Sequence, residues 1–100
     1  MDPGTPIYHL ALRAHWENAR AAGEYRQSTI DRTLEEEGFI HCSFAEQVEG
    51  TVARYYDGID DIVLLTIDPA QLADVRVENG FPHIYGPLPI TAVIETKQYR

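Results

Sequence analysis

Three of the four histidines sit among residues that could do polar chemistry: His9 in Ile7-Tyr8-His9-Leu10, His41 in Gly38-Phe39-Ile40-His41-Cys42-Ser43, and His83 in Phe81-Pro82-His83-Ile84-Tyr85-Gly86-Pro87. Imidazoles titrate near neutrality, so a cleft lined by three of them suits acid and base work and suits hydrogen bonding to ribose hydroxyls and phosphates. They could also hold zinc, as a metal-dependent hydrolase would require, but no HxH or HxxxH pair occurs among them and no metal ligand is assigned. His15, beside Trp16 in a helical stretch, belongs at the surface or core edge.

Strand alternation sorts the neighbours. His9 shares a face with Ile7 and Ala11, and is read either as a ligand contact or as a strand histidine bonded to nearby backbone. Phe39, His41 and Ser43 share one face, and Ile40 and Cys42 the other, so Cys42 points inward as a small hydrophobe and cannot form a dyad with His41. Ser43 begins Ser43-Phe44-Ala45-Glu46, a capping box that places its hydroxyl at a helix N-terminus, as a plain cap or as an anion contact. Three prolines stiffen the stretch from Pro82 to Pro89 into a braced loop, and with Ile84 inward, His83 and Tyr85 project together.

The elements that must position these residues are short. A strand over Pro6 to Leu12 leads into a helix over Arg13 to Ala22 that Gly23 ends. Glu24 to Ser28 is irregular, Ile30 to Glu37 is a short helix stopped by Gly38, and Phe39 to Ser43 is a strand. A helix follows from Phe44 to Tyr56, with Val48, Val52 and Tyr55 inward. Ile62 to Ile67, apolar at every position but Thr66, is a central strand covered on both sides. A turn from Pro69 to Leu72, a strand over Asp74 to Glu78, a loop opened by Asn79-Gly80, and a last strand over Ile90 to Thr96 complete the reading. Helices alternate with strands early and strands dominate later, which makes the chain α+β, one domain over residues 1–100 with its core from about 6 to 97.

Composition removes whole classes of function. With 16 acidic and 8 basic side chains the net charge is −8, and the basic residues never form a run, which disfavours nucleic acid as a partner. A lone cysteine excludes an intrachain disulfide and a multi-cysteine zinc module. Met1-Asp2-Pro3-Gly4 has neither a basic nor an apolar leader region and no stretch is long enough to span a bilayer, so the chain is expected in the cytoplasm and off the membrane. The nucleotide-binding patterns GxGxxG and GxxxxGK are absent.

IYHL with Trp16, GEY at Gly23 to Tyr25, EGFIHCS at Glu37 to Ser43, Gln47, the DIVLLTID strand, VRVE and FPHIYGPL together resemble the bacterial family called domain of unknown function 952, over roughly Ile7 to Val93. The resemblance implies a fold similar to the ADP-ribosyltransferase superfamily, including its RNA 2′-phosphotransferase branch: two small, packed, mainly antiparallel sheets with short helices around a cleft that takes NAD. It places His9 on the ribose next to adenine and makes Ser43 and Tyr85 further cofactor contacts. His41 and His83 become the acid–base residues, and Glu78 the nearest match to the superfamily's late glutamate. The expectation is a small domain that binds NAD or an ADP-ribose-like nucleotide, with ADP-ribosyl or phosphoryl transfer as its chemistry, or one that keeps the cleft and has lost the chemistry.

Overall fold

The computed structural model describes residues 4–100, so the leader expectation placed on Met1 to Pro3 lies outside the described residues. Ten strands and three helices follow one another: β1 (Ile7–Leu12), α1 (Arg13–Ala22), β2 (Glu24–Tyr25), β3 (Gln27–Thr29), β4 (Arg32–Thr33), α2 (Leu34–Glu37), β5 (Ile40–His41), α3 (Val48–Tyr55), β6 (Ile62–Ile67), β7 (Val75–Glu78), β8 (Phe81–Ile84), β9 (Leu88–Pro89) and β10 (Val93–Gln98). Single 3-10 turns at Ala45–Gln47, Pro69–Gln71 and Ile90–Ala92 link them. The class is α+β, as the alternation of elements implied. No helix among the described residues is long and apolar enough to cross a membrane.

Two antiparallel three-stranded sheets carry the architecture, ordered β1-β6-β10 and β5-β8-β7, with the small pairs β2-β9 and β3-β4 beside them. β6 is the central strand of the first sheet and is covered on both faces, as its apolar run predicts. Val63, Leu65 and Ile67 face a core shared with Ile7, Ala11, Trp16 and Ala19 and with Ile40, Cys42 and Ile84 of the second sheet. Ile62 and Leu10 face the other way, under Val48, Val52 and Tyr56. The sheets are stitched by one reciprocal backbone pair: Tyr8 N–H donates to Ser43 at 2.8 Å and Ser43 N–H returns to Tyr8 at 2.7 Å.

Several local expectations shift for identifiable reasons. The helix expected from Ile30 keeps only α2, because Thr33 and Glu36 form the capping box that starts it there while Gln27 to Thr33 turns back as the β3-β4 hairpin. Ser43 does not cap the next helix: Phe44 occupies that position, and its N–H donates to the Gln47 side chain at 2.9 Å. The buried stripe of α3 then advances by fours from Val48 to Val52 to Tyr56, whose hydroxyl donates to the Leu10 carbonyl at 3.1 Å, and this leaves Tyr55 66% exposed rather than inward. The loop expected at Asn79-Gly80 is a tight turn. Both residues take positive φ (54° and 83°), the backbone of a two-residue hairpin turn that joins β7 directly to β8 and converts the expected proline-braced loop into a strand.

Leu65, fully buried at the middle of β6, touches the shared core on the α1 side. Leu65→Ala should cost about 2–5 kcal/mol, lowering the melting temperature by roughly 10 °C or more at about 4–8 °C per kcal/mol. Calorimetry of the two proteins checks it, and a shift under 3 °C would contradict this placement of the core.

Candidate functional site

The tight β7-β8 hairpin sets the site. Its register pairs Glu78 with Phe81 and Arg76 with His83, so Arg76, Glu78, Phe81 and His83 share one face of the sheet. β5 pairs on the other side of β8 and sets His41 opposite His83. The two imidazoles meet edge to face with centroids 5.1 Å apart. Phe39 lies against both, stacked on His83 at 4.0 Å and edge-on to His41 at 4.7 Å, which leaves the rings little freedom to rotate.

Each of these histidines has its own carboxylate. His83 Nδ1 donates to Glu78 Oε1 at 2.7 Å, and His41 Nε2 lies 3.4 Å from Glu37 Oε1. A carboxylate at Nδ1 holds the proton there, so the neutral ring keeps the lone pair of Nε2 free. That nitrogen makes no hydrogen bond among the described residues and is not one of their buried unpartnered atoms, so it opens to the cleft. Glu78 Oε1 also accepts the Tyr85 hydroxyl at 2.5 Å. These two donors, Tyr85 first and His83 second, hold the Glu78 carboxyl below its ordinary range, and the same bond raises the Tyr85 phenol. The Arg76 guanidinium lies 4.0 Å over the Tyr85 ring and is fixed by both carboxylate oxygens of Asp74.

Glu37, Phe39, His41, Glu78 and His83 border a cleft of about 820 Å³, which is also lined by Tyr8, Ser43, Thr51, Arg54, Tyr55 and Phe81, whereas Tyr85 and Arg76 do not line it. A nucleotide-sized ligand fits such a volume. Gln47 pins the end of the cleft, with its side chain accepting from Phe44 N–H and donating to the Gly80 carbonyl at 2.8 Å, which ties the hairpin turn to the segment after β5.

Of the six residues singled out from the sequence, His83, Glu78 and Tyr85 form one hydrogen-bonded group, and the His41 ring lies against that of His83; Tyr85 meets Glu78 without lining the cleft. Ser43 lines the cleft with its hydroxyl 3.0 Å from that of Thr51. His9 goes elsewhere. It is 2% exposed, its Nδ1 lies 2.6 Å from the His41 carbonyl, and its Nε2 lies 2.8 Å from the Tyr25 hydroxyl. A carbonyl can only accept, so Nδ1–H donates and Nε2 accepts from Tyr25. Neither nitrogen is left for a ligand. Cys42 is buried beside Ile40, which pushes its thiol pKa well up and keeps it out of thiolate chemistry. Among the described residues no group of three His, Cys, Asp or Glu side chains is placed to hold a metal ion.

Sequence reasoning missed Glu37, Phe39, Arg54 and Tyr25. Glu37 stands four residues before His41, a spacing that would signal a pair on a helix but is interrupted here by Gly38 at φ 94°. Tyr25 stood out only as part of the GEY pattern, with nothing to tie it to His9, since that bond spans 16 residues and depends on how β2 docks.

Burial lowers the His9 pKa from 6.5 to about 4. Above pH 6.5 folded and unfolded chains both hold this ring neutral. Between 6.5 and 4 only the unfolded chain takes up the proton, so stability falls with pH, by roughly 3 kcal/mol across the window at about 1.36 kcal/mol per unit. The His9 ring resonances should therefore stay at their neutral positions from pH 7.5 to 5 in an NMR titration. Movement with a midpoint near 6.5 would show that the ring is not enclosed.

A family model described as protein of unknown function (DUF952) matches residues 10–96, a span that holds His41, Glu78, His83 and Tyr85 and starts one residue after His9. No curated protein matches the chain. The crystal structure of protein CC0527 from Caulobacter crescentus is similar at 34% identity and a TM-score of 0.81, over 93% of this chain and 84% of that one. Its solution NMR structure is similar at 35% identity and a TM-score of 0.76, over 93% and 83%. With 87 consecutive residues matched, from 10 to 96, the chain belongs to the DUF952 family of proteins of unknown function.

Proposed function

We propose that the cleft binds a nucleotide-like phosphate ester and that His83 and His41 act on it as an acid–base pair. The observation that carries this reading is the pair of imidazoles 5.1 Å apart, each beside its own carboxylate, with His83 Nε2 open to the cleft. A base oriented by a carboxylate at its far nitrogen is the arrangement that acid–base catalysis needs. His83 Nε2 takes the proton of a water or ribose hydroxyl as that oxygen bonds to phosphorus. Protonated His41 gives its proton to the departing oxygen as the second P–O bond breaks. Glu78 keeps the His83 proton on Nδ1 and stabilises the imidazolium that forms, while Glu37, beside Nε2 of His41, stabilises that imidazolium and leaves its Nδ1–H to serve as the acid.

The aromatic side chains of Tyr8, Tyr55 and Phe81 along the cleft support the nucleotide character of the ligand. NAD itself fits less well. His9 has no free nitrogen, and Tyr85 has given its hydroxyl to Glu78 and a ring face to Arg76. The proposed chemistry therefore makes no use of nicotinamide, and phosphoryl transfer is preferred to ADP-ribosyl transfer.

Thermal shift against nucleoside monophosphates, 2′,3′-cyclic nucleotides, ADP-ribose and NAD at millimolar concentration tests binding, since a ligand at 100 times its Kd adds about 2.7 kcal/mol. Turnover of those that bind is followed by phosphorus NMR. His83→Gln should lower kcat by about 10²–10⁴-fold with the fold intact, and Glu78→Gln should lower it less. Stabilisation by none of these ligands, or an unimpaired His83→Gln protein, would refute the proposal.

A further inference from the structure

The 8 basic residues of this chain stand among 16 acids, and its arginines are almost all engaged. Five of the seven arginines meet carboxylates, and Arg100 donates to the Tyr56 and Ile59 carbonyls. Arg54 is the exception. Among the described residues it has neither an ion pair nor a hydrogen bond, only the ring of Tyr55 at 5.9 Å, and it lines the cleft. In a chain at −8, a guanidinium without a carboxylate is out of pattern, and one that borders a ligand-sized cleft has its five donors available for an anion.

Its neighbours fit the same use. Thr51, Arg54 and Tyr55 lie three and four residues apart on α3, so one face of the helix presents a hydroxyl, a guanidinium and a 66% exposed aromatic ring, while Val48 and Val52 are buried. The Thr51 hydroxyl is paired with that of Ser43, and one proton of such a pair remains for a further acceptor. The acids that line the cleft, Asp31, Glu37 and Glu78, belong to the β3-β4 hairpin, α2 and β7 rather than to α3. Arg32 of that same hairpin is spent on Glu37.

We infer that Arg54, with the Thr51–Ser43 hydroxyls, is the anion subsite of the cleft and grips a phosphomonoester, which makes a nucleoside monophosphate the class of ligand. Tyr55 offers a flat face to the base. This rests on the cleft being a nucleotide site and adds the group that selects the phosphate. It also gives Ser43 a part in anion binding that does not depend on capping a helix.

The test compares 5′-AMP, adenosine and inorganic phosphate by NMR titration of the Thr51 amide and the Arg54 side-chain N–H. AMP should bind the parent protein at least ten-fold more tightly than adenosine, Arg54→Ala should abolish that difference, and Arg54→Lys should keep part of it. All variants should melt with the parent because the side chain is exposed. Equal AMP affinity in the parent and Arg54→Ala, equal binding of AMP and adenosine by the parent, or no response to any of the three probes would overturn the subsite. AMP binding through Arg54 together with full turnover by His83→Gln would support the subsite and remove the acid–base role instead.

Discussion

A buried imidazole has to be satisfied at both nitrogens, and in this chain meeting that demand brings three elements into register. His9 lies on β1, accepts a hydrogen bond from the Tyr25 hydroxyl of β2 and donates one to the His41 carbonyl of β5. The cost of protonating it away from water keeps it neutral, and only one tautomer serves both partners. Because its acceptor is the backbone of His41, the strand that presents the cleft's second histidine rests on this ring. The reciprocal backbone pair between Tyr8 and Ser43 lies beside it and closes the same seam between the sheets.

On the far side of that seam the polar groups act by orientation. Glu78 reaches His83 because a two-residue turn at Asn79-Gly80 puts them diagonally across a hairpin, and Phe39 stacks on the ring that Glu78 holds. Tyr85, Arg76 and Asp74 extend the chain of contacts outward, so its exposed end is braced by a cation over a ring and a bidentate ion pair. Exposed ion pairs contribute little to stability. Their use here is geometric, since they limit where the Glu78 carboxylate can go. Most of the cations in this chain at −8 are neutralised in place by local pairing, and Arg54 is left over at the cleft.

Much of this was legible without coordinates. Period-two alternation turned Cys42 inward with Ile40, set His41 on the opposite face, and sent His83 and Tyr85 to a common side. The run from Ile62 to Ile67 announced a strand covered on both sides, and Gly23 and Gly38, both at positive φ, end the helices they were expected to end. Less was visible where two local signals competed. Ser43 and Glu46 looked like a capping box, but Phe44 and Gln47 one residue on provide the bond, because Ser43 is held in the bridge to Tyr8. Tyr55 was expected in the core, but a hydrogen bond to Leu10 across the fold puts Tyr56 there instead.

The sequence by itself determined the faces of the strands, the ends of the helices and the segments that carry the polar side chains, because those depend on periodicity and on residues a few positions apart. Tertiary structure alone decided which nitrogens are free. His9 and His83 look alike in sequence, each inside an aromatic-rich segment, yet one has both nitrogens bonded within the protein and the other opens Nε2 to the cleft. The partners that make the difference lie 16 and 32 residues from His9 and 5 from His83 across a turn. A hydrogen bond at that range depends on how sheets dock and hairpins register, which no local pattern records.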